Sequence, residues 1–165
     1  MKFKTTPYHF DLLKDEERLS AFYEAIKELS TSQELAYDLG CGSGILSFFL
    51  NSYFKEIIAI EQDFKASRCA KENLKSFKNI EVVNEDVLKY DFSKKCDLIV
   101  CEMLDTALID EEEVPVLNHA RNYLKENGKI IPQGIINTIE LARLERDYIC
   151  LLYTSPSPRD GLLSR

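Results

Sequence analysis

Leu35-Ala36-Tyr37-Asp38-Leu39-Gly40-Cys41-Gly42-Ser43-Gly44-Ile45-Leu46 decides the fold. A short apolar run enters a turn carrying three alternating glycines, and an apolar segment of helical character leaves it. Glycines belong in such a turn because the backbone must reverse sharply and lie flat against a ligand with no Cβ between them. A phosphate-cradling P-loop would end in Gly-Lys-Ser/Thr, and Ile45 and Leu46 follow Gly44 instead. A dinucleotide fingerprint spaces its glycines GxGxxG, whereas Gly40, Gly42 and Gly44 read GxGxG.

Outward from this turn, apolar runs at 35–39, 56–60, 80–83, 98–101 and 129–131 alternate with segments of helical length. Helices are expected at 44–53, 63–76 and 112–125, the last closed by Asn127-Gly128, and an amphipathic helix over 11–30 precedes the sheet. A further strand is expected over 135–144. The β-α-β-α order, with right-handed crossovers and both sheet faces to be covered, predicts an α/β, doubly wound, mainly parallel sheet.

At 165 residues the chain has room for one domain with a core. With 45% apolar and 30% charged residues, and no apolar run long enough to cross a bilayer or act as a signal peptide, the expectation is a cytoplasmic protein with no membrane partner. The formal charge of −7 argues against a broad basic surface for nucleic acid. Cys41, Cys69, Cys96, Cys101 and Cys150 form no CxxC pair and show no metal-ligand spacing with His9 or His119, so reduced structural thiols and no metal are expected. Residues 150–160 resemble a translated sequencing-library adapter. The expected organisation is therefore a domain over 1–149, incomplete at its C-terminus, and a non-native tail over 150–165.

Asp38 ahead of the GxGxG turn resembles motif I of class I S-adenosylmethionine-dependent methyltransferases, whose Rossmann-like fold has the sheet described above. In that family the loop passes under the methionine part of S-adenosyl-L-methionine, and an acid ending the second strand takes the ribose hydroxyls. Glu61, after Ile57-Ile58-Ala59-Ile60, supplies that acid. A carboxylate at a strand's carboxyl end is independently well placed to accept two hydrogen bonds from a cis-diol. Asp86 matches the acidic position near the adenine amine, and Val87 flanks the ring. The resemblance thus implies cofactor contacts at Asp38, Gly40, Gly42, Gly44, Glu61, Asp86 and Val87.

The fourth apolar run delivers Glu102 to the same edge of the sheet, and the loop after it closes on Glu111. This loop resembles the two-glutamate loop of protein arginine methyltransferases, and Leu13-Lys14-Asp15-Glu16-Glu17-Arg18 resembles the segment whose arginine, here Arg18, reaches the cofactor's carboxylate. The resemblance covers most of residues 9–145, with Met103 where that family usually has tryptophan and without its tyrosine-rich N-terminal motif. The wording Cys-Glu-Met-Leu-Asp-Thr-Ala-Leu-Ile also resembles archaeal predicted RNA methylases. The implied activity is methyl transfer to a nitrogen of a macromolecular acceptor, protein arginine or RNA, with Glu102 and Glu111 as catalytic residues. The contrasting class is a non-catalytic cofactor-binding or scaffold protein that keeps the fold.

Overall fold

A computed structural model describes residues 3–29, 33–104 and 111–136. The strand expected over 135–144 falls almost wholly outside the described residues, as do the tail over 150–165 and the middle of the 102–111 loop.

The elements run α1 (Pro7–Lys14), α2 (Glu16–Leu29), β1 (Gln33–Leu39), α3 (Ile45–Leu50), β2 (Phe54–Ile60), α4 (Phe64–Leu74), β3 (Ile80–Val83), β4 (Cys96–Cys101), α5 (Glu113–Ala120), a 3-10 turn (Arg121–Tyr123) and β5 (Leu124–Ile131). The five strands form one sheet of order β3-β2-β1-β4-β5, parallel throughout. Alternation along the strands sends their side chains to two cores. Tyr37, Ile58 and Ile99 pack with Val116 and Ala120 of α5, whereas Ala36, Ile57 and Leu98 pack with Phe22 and Ile26 of α2 and Leu46 and Leu50 of α3. Covering both faces explains why β1, central in the order, is buried without a break from Leu35 to Leu39. Among the described residues no helix is long and apolar enough to cross a membrane.

Two expectations are corrected here. The segment expected as one helix over 11–30 is two helices, and the first begins earlier. Thr6 caps α1 with Pro7 in its first turn, and Asp15 ends α1 and caps α2 by accepting the Arg18 N–H at 2.9 Å. The helix expected over 112–125 stops at Ala120, and Asn127-Gly128 lies within β5. Leu124 pairs with Cys96, and Lys129 with Leu98, so residues 125–128 loop out of the ladder opposite a single residue of β4. Gly128 serves this irregularity: a Cβ there would lie 2.6 Å from Leu124 Cγ and 3.1 Å from the Lys125 carbonyl oxygen. Pairing with β4 outweighs the local helical tendency of the segment.

One carboxylate fastens the lower end of the sheet. Asp97 accepts the Glu34 and Leu35 N–H groups at 3.0 and 3.1 Å and Lys125 Nζ at 2.8 Å, joining β1, β4 and β5. Burial opposes its charge, but the bonds from Lys125 and the two peptides outweigh that and hold its pKa below the usual carboxylate range. Its stabilisation is present above the unfolded-state pKa and is lost as pH falls through the depressed folded value. Asp97→Ala should lower the unfolding free energy of the full-length protein by about 1–3 kcal/mol at pH 7, read from urea denaturation. A change below about 0.5 kcal/mol would mean that the three strands do not need this tie.

Candidate functional site

The parallel register brings the candidate residues to one level. Leu39 pairs with both Ile60 and Cys101, and Ile60 pairs with Val83, so the residues that follow, Gly40, Glu61, Glu102 and Asn84, emerge side by side at the carboxyl edge. Chain order reverses between β1 and β4, the position where open α/β sheets hold ligands. A cleft of about 950 Å³ opens there, walled by residues 40–43, Glu61, Asp86, Val87, Arg18, Glu102, Met103 and Glu111 and by Tyr8 and His9 of α1.

Gly40, Gly42 and Gly44 have φ of 70°, 54° and 88°, the left-handed region that disfavours side chains. Each also faces a different neighbour. A Cβ on Gly40 would lie 2.9 Å from Met103 Sδ, one on Gly42 2.8 Å from His9 Nε2, and one on Gly44 2.6 Å from Leu74 Cδ1 of α4. Gly44 and Asp38 do not line the cleft: Gly44 seats the loop on α4, and Asp38 is buried beneath it.

Glu61 holds the loop in place. Its Oε2 accepts the Gly42 N–H at 2.8 Å, and its Oε1 accepts the Asp63 N–H at 2.7 Å. Each carboxylate oxygen has a second lone pair, so the group can still receive a diol while bracing the loop. Asp86 also lines the cleft, where its carboxylate accepts the Leu88 N–H at 2.9 Å and pairs with Lys89 at 3.0 Å. The bond from Lys89, followed by that peptide bond, holds its pKa below the usual range. Val87 is buried and still contributes to the wall.

Arg18 leaves the first turn of α2 and forms a salt bridge with Glu102 inside the cleft. The two side chains are only 5% and 12% exposed, so each needs the other. Arg18 Nε is buried and has no hydrogen-bond partner among the described residues. Glu111 reaches the cleft from the approach to α5 and accepts the Tyr8 hydroxyl at 3.4 Å.

A model of the methyltransferase domain family matches residues 36–128. The chain belongs to the methyltransferase domain family. It is 56% identical over 140 residues to an uncharacterized protein of Methanothermobacter thermautotrophicus, covering 85% of this chain and 55% of that one. It is 32% identical over 119 residues to a ribosomal protein L11 methyltransferase of Thermoanaerobacter pseudethanolicus, covering 70% and 36%. Among solved structures, Arabidopsis thaliana protein arginine methyltransferase 10 superposes with a TM-score of 0.69 at 26% identity, covering 78% of this chain and 39% of that chain. The chain spans 55% of the length of the Methanothermobacter protein and 59% of that of an uncharacterized protein of Methanocaldococcus jannaschii, to which it is 40% identical.

The cleft of this methyltransferase domain also holds residues that were not singled out as site residues from sequence, among them Tyr8, His9 and Met103. His9 lies against Gly42 with Nδ1 2.7 Å from Thr6 Oγ1, and burial pushes its pKa down against the pull of Glu61 and Asp63. The Thr6-Pro7 helix start is the sequence signal that puts Tyr8 and His9 on a helix; nothing local aims them at the loop.

Asp38 is 1% exposed, with Oδ2 accepting the Ser47 hydroxyl at 2.5 Å and Oδ1 without a partner among the described residues. Burial pushes its pKa up to about 6, with the Ser47 bonds pulling the other way. Because the folded value lies above the unfolded one, its contribution to stability is fully present below about pH 4 and is lost as pH rises through about 6. Asp38→Asn should therefore remove, between those limits, a pH-dependent loss on the order of 2–3 kcal/mol, leaving the variant more stable at pH 7. Thermal unfolding of both proteins from pH 4 to 8 checks this, and parallel curves would mean that Asp38 is not titrating in that window.

Proposed function

We propose that this methyltransferase domain binds S-adenosyl-L-methionine and transfers its methyl group to a cationic nitrogen acceptor, the side chain of a protein arginine. The observation that carries this reading is the charge of the cleft. Asp11, Glu61, Asp63, Asp86, Glu102, Glu111 and Glu112 line it against Arg18 and Lys65, seven carboxylates to two cations. A polyanionic RNA backbone would be repelled at such a mouth, whereas a guanidinium would be drawn in. Two of the relatives reported above, the ribosomal protein L11 methyltransferase and protein arginine methyltransferase 10, are by name methyltransferases of proteins.

The residues present fit the cofactor. The buried, unpartnered Nε of Arg18 suits a carboxylate, the backbone of Gly40 and Gly42 forms part of the cleft wall, and Glu61 keeps lone pairs for a diol. When bound, S-adenosyl-L-methionine would supply a methyl group on a sulfonium: the acceptor nitrogen gains its N–CH3 bond as the S–CH3 bond breaks, and its surplus proton passes to a cleft carboxylate. The protein's task is then alignment and charge. Glu102 and Glu111 enter the cleft from opposite ends of one loop, and each can accept paired N–H bonds from a planar guanidinium. Their charges draw the cation's positive charge toward the gripped nitrogens and leave more electron density on the nitrogen facing the methyl group. Holding that nitrogen in line removes an entropic barrier. Arg18 fixes Glu102 by occupying one of its oxygens.

The test is methyl transfer by the full-length protein to arginine-containing peptides and to RNA. Transfer to arginine is expected, with Glu102→Gln and Glu111→Gln each lowering turnover by about a hundredfold or more while S-adenosylmethionine still binds. Transfer to RNA with a mild Glu111→Gln phenotype would replace arginine as the acceptor. Full activity of Glu102→Gln would overturn its assigned role for either acceptor.

A further inference from the structure

Asn73 sits on α4, outside the cleft, yet it touches both the glycine loop and the N-terminal segment. It is 4% exposed. Its Nδ2 donates to the Ser43 carbonyl at 2.9 Å and to the Lys4 carbonyl at 2.7 Å, while its Oδ1 accepts the Lys4 N–H at 2.7 Å. One side-chain amide thus pairs with both backbone groups of Lys4, as a neighbouring strand would, and spends its remaining proton on the loop between Gly42 and Gly44. The strap it holds is short. Phe3 packs edge-on to Phe48 of α3 at 5.9 Å, Lys4 reaches Glu72 at 3.5 Å, and Thr6 opens α1.

The helix that follows depends on this anchor. α1 has eight residues and buries none of them, so neither its length nor a core contact makes it stable alone. Tyr8, His9, Asp11, Leu12 and Leu13 nonetheless form one wall of the cleft, with His9 lying on Gly42. An element of such low local stability covering a ligand loop opens more readily than the sheet beneath it.

We propose that Asn73 is the latch of an N-terminal strap, residues 3–14, and that release of this latch sets how fast cofactor enters and leaves the cleft. Asn73 acts as a positioning residue: it touches no reacting group and works through Lys4 and α1. The inference rests on the cofactor reading above, but the latch itself is measurable without ligand.

The experiment compares full-length wild type, Asn73→Ala, Lys4→Pro and the double variant. Asn73→Ala removes all three bonds, including the one to the loop. Lys4→Pro removes the N–H that Asn73 Oδ1 accepts, together with the exposed Lys4–Glu72 pair, and leaves the Asn73–Ser43 bond in place, so it separates the strap from the loop. Amide hydrogen exchange of the ligand-free proteins should accelerate by about tenfold in residues 3–14 in every variant, with 33–60 unchanged in Lys4→Pro. Association and dissociation rates of S-adenosylhomocysteine, read by surface plasmon resonance, should both rise by about fivefold or more in Lys4→Pro, with affinity changed by less than about threefold. Adding Lys4→Pro to Asn73→Ala should accelerate either rate by less than about twofold more, because the two residues share the latch contact and the Lys4–Glu72 pair lost with Lys4 is exposed and contributes little. Unchanged exchange at 3–14 in Lys4→Pro overturns the latch, and faster exchange with unchanged ligand rates overturns the gating. Failure of wild type to bind S-adenosylhomocysteine overturns the cofactor reading and the gating with it, while the exchange result still decides the latch.

Discussion

The rest of the site depends on the two N–H groups that Glu61 accepts. Residues 40–44 turn through three left-handed glycines, a conformation with no regular hydrogen-bonding pattern of its own. Oε2 of Glu61 takes the Gly42 N–H at the centre of that turn, and Oε1 is tied to the start of α4 through Asp63. Because Glu61 ends β2 and the loop ends β1, the parallel register of those strands fixes the loop's height. The Gly40 and Cys41 N–H groups complete the tie by reaching the Ile60 carbonyl at 2.9 and 3.0 Å. A loop so fastened has its shape set by the sheet, which limits the ordering cost of binding a ligand.

Charge is the second organising feature. The carboxyl edge of the sheet concentrates acids, and the fold handles each differently. Glu61 is satisfied by peptide N–H groups, Glu102 by Arg18, and Asp86 by Lys89 and a peptide. Asp38 accepts one hydroxyl, and burial, only partly offset by its bonds from Ser47, raises its pKa. The remaining negative potential points into the cleft, and the acceptor we propose, a guanidinium, would be a cation like the sulfonium it meets. Two like-charged reactants come together more readily in a field of opposite sign.

Much of this was legible in the sequence, for a physical reason. Buried parallel strands read as apolar runs, and a turn that needs left-handed backbone reads as glycine, so β1 to β4, the loop and the positions of Glu61 and Glu102 followed from local pattern. Local pattern failed where tertiary contact decides. Asn127-Gly128 has the composition of a helix end, but pairing of Leu124 with Cys96 draws the segment into β5. The break at Asp15 was hidden because the apolar spacing continues across it. His9, Met103 and Asn73 matter through distant partners: Gly42, Gly40, and the Lys4 and Ser43 peptides. No spacing within their own segments encodes those contacts.

Calorimetric titration of the full-length protein with S-adenosylmethionine, alongside Gly42→Val, is the most direct test that the glycine loop is a cofactor cradle. Wild type should bind one equivalent. The variant should remain folded by circular dichroism but lose binding, because valine at a φ of 54° is strained and its side chain would occupy the space between loop and His9. Equal affinity in the two proteins, or no binding by the wild type, would contradict the central claim.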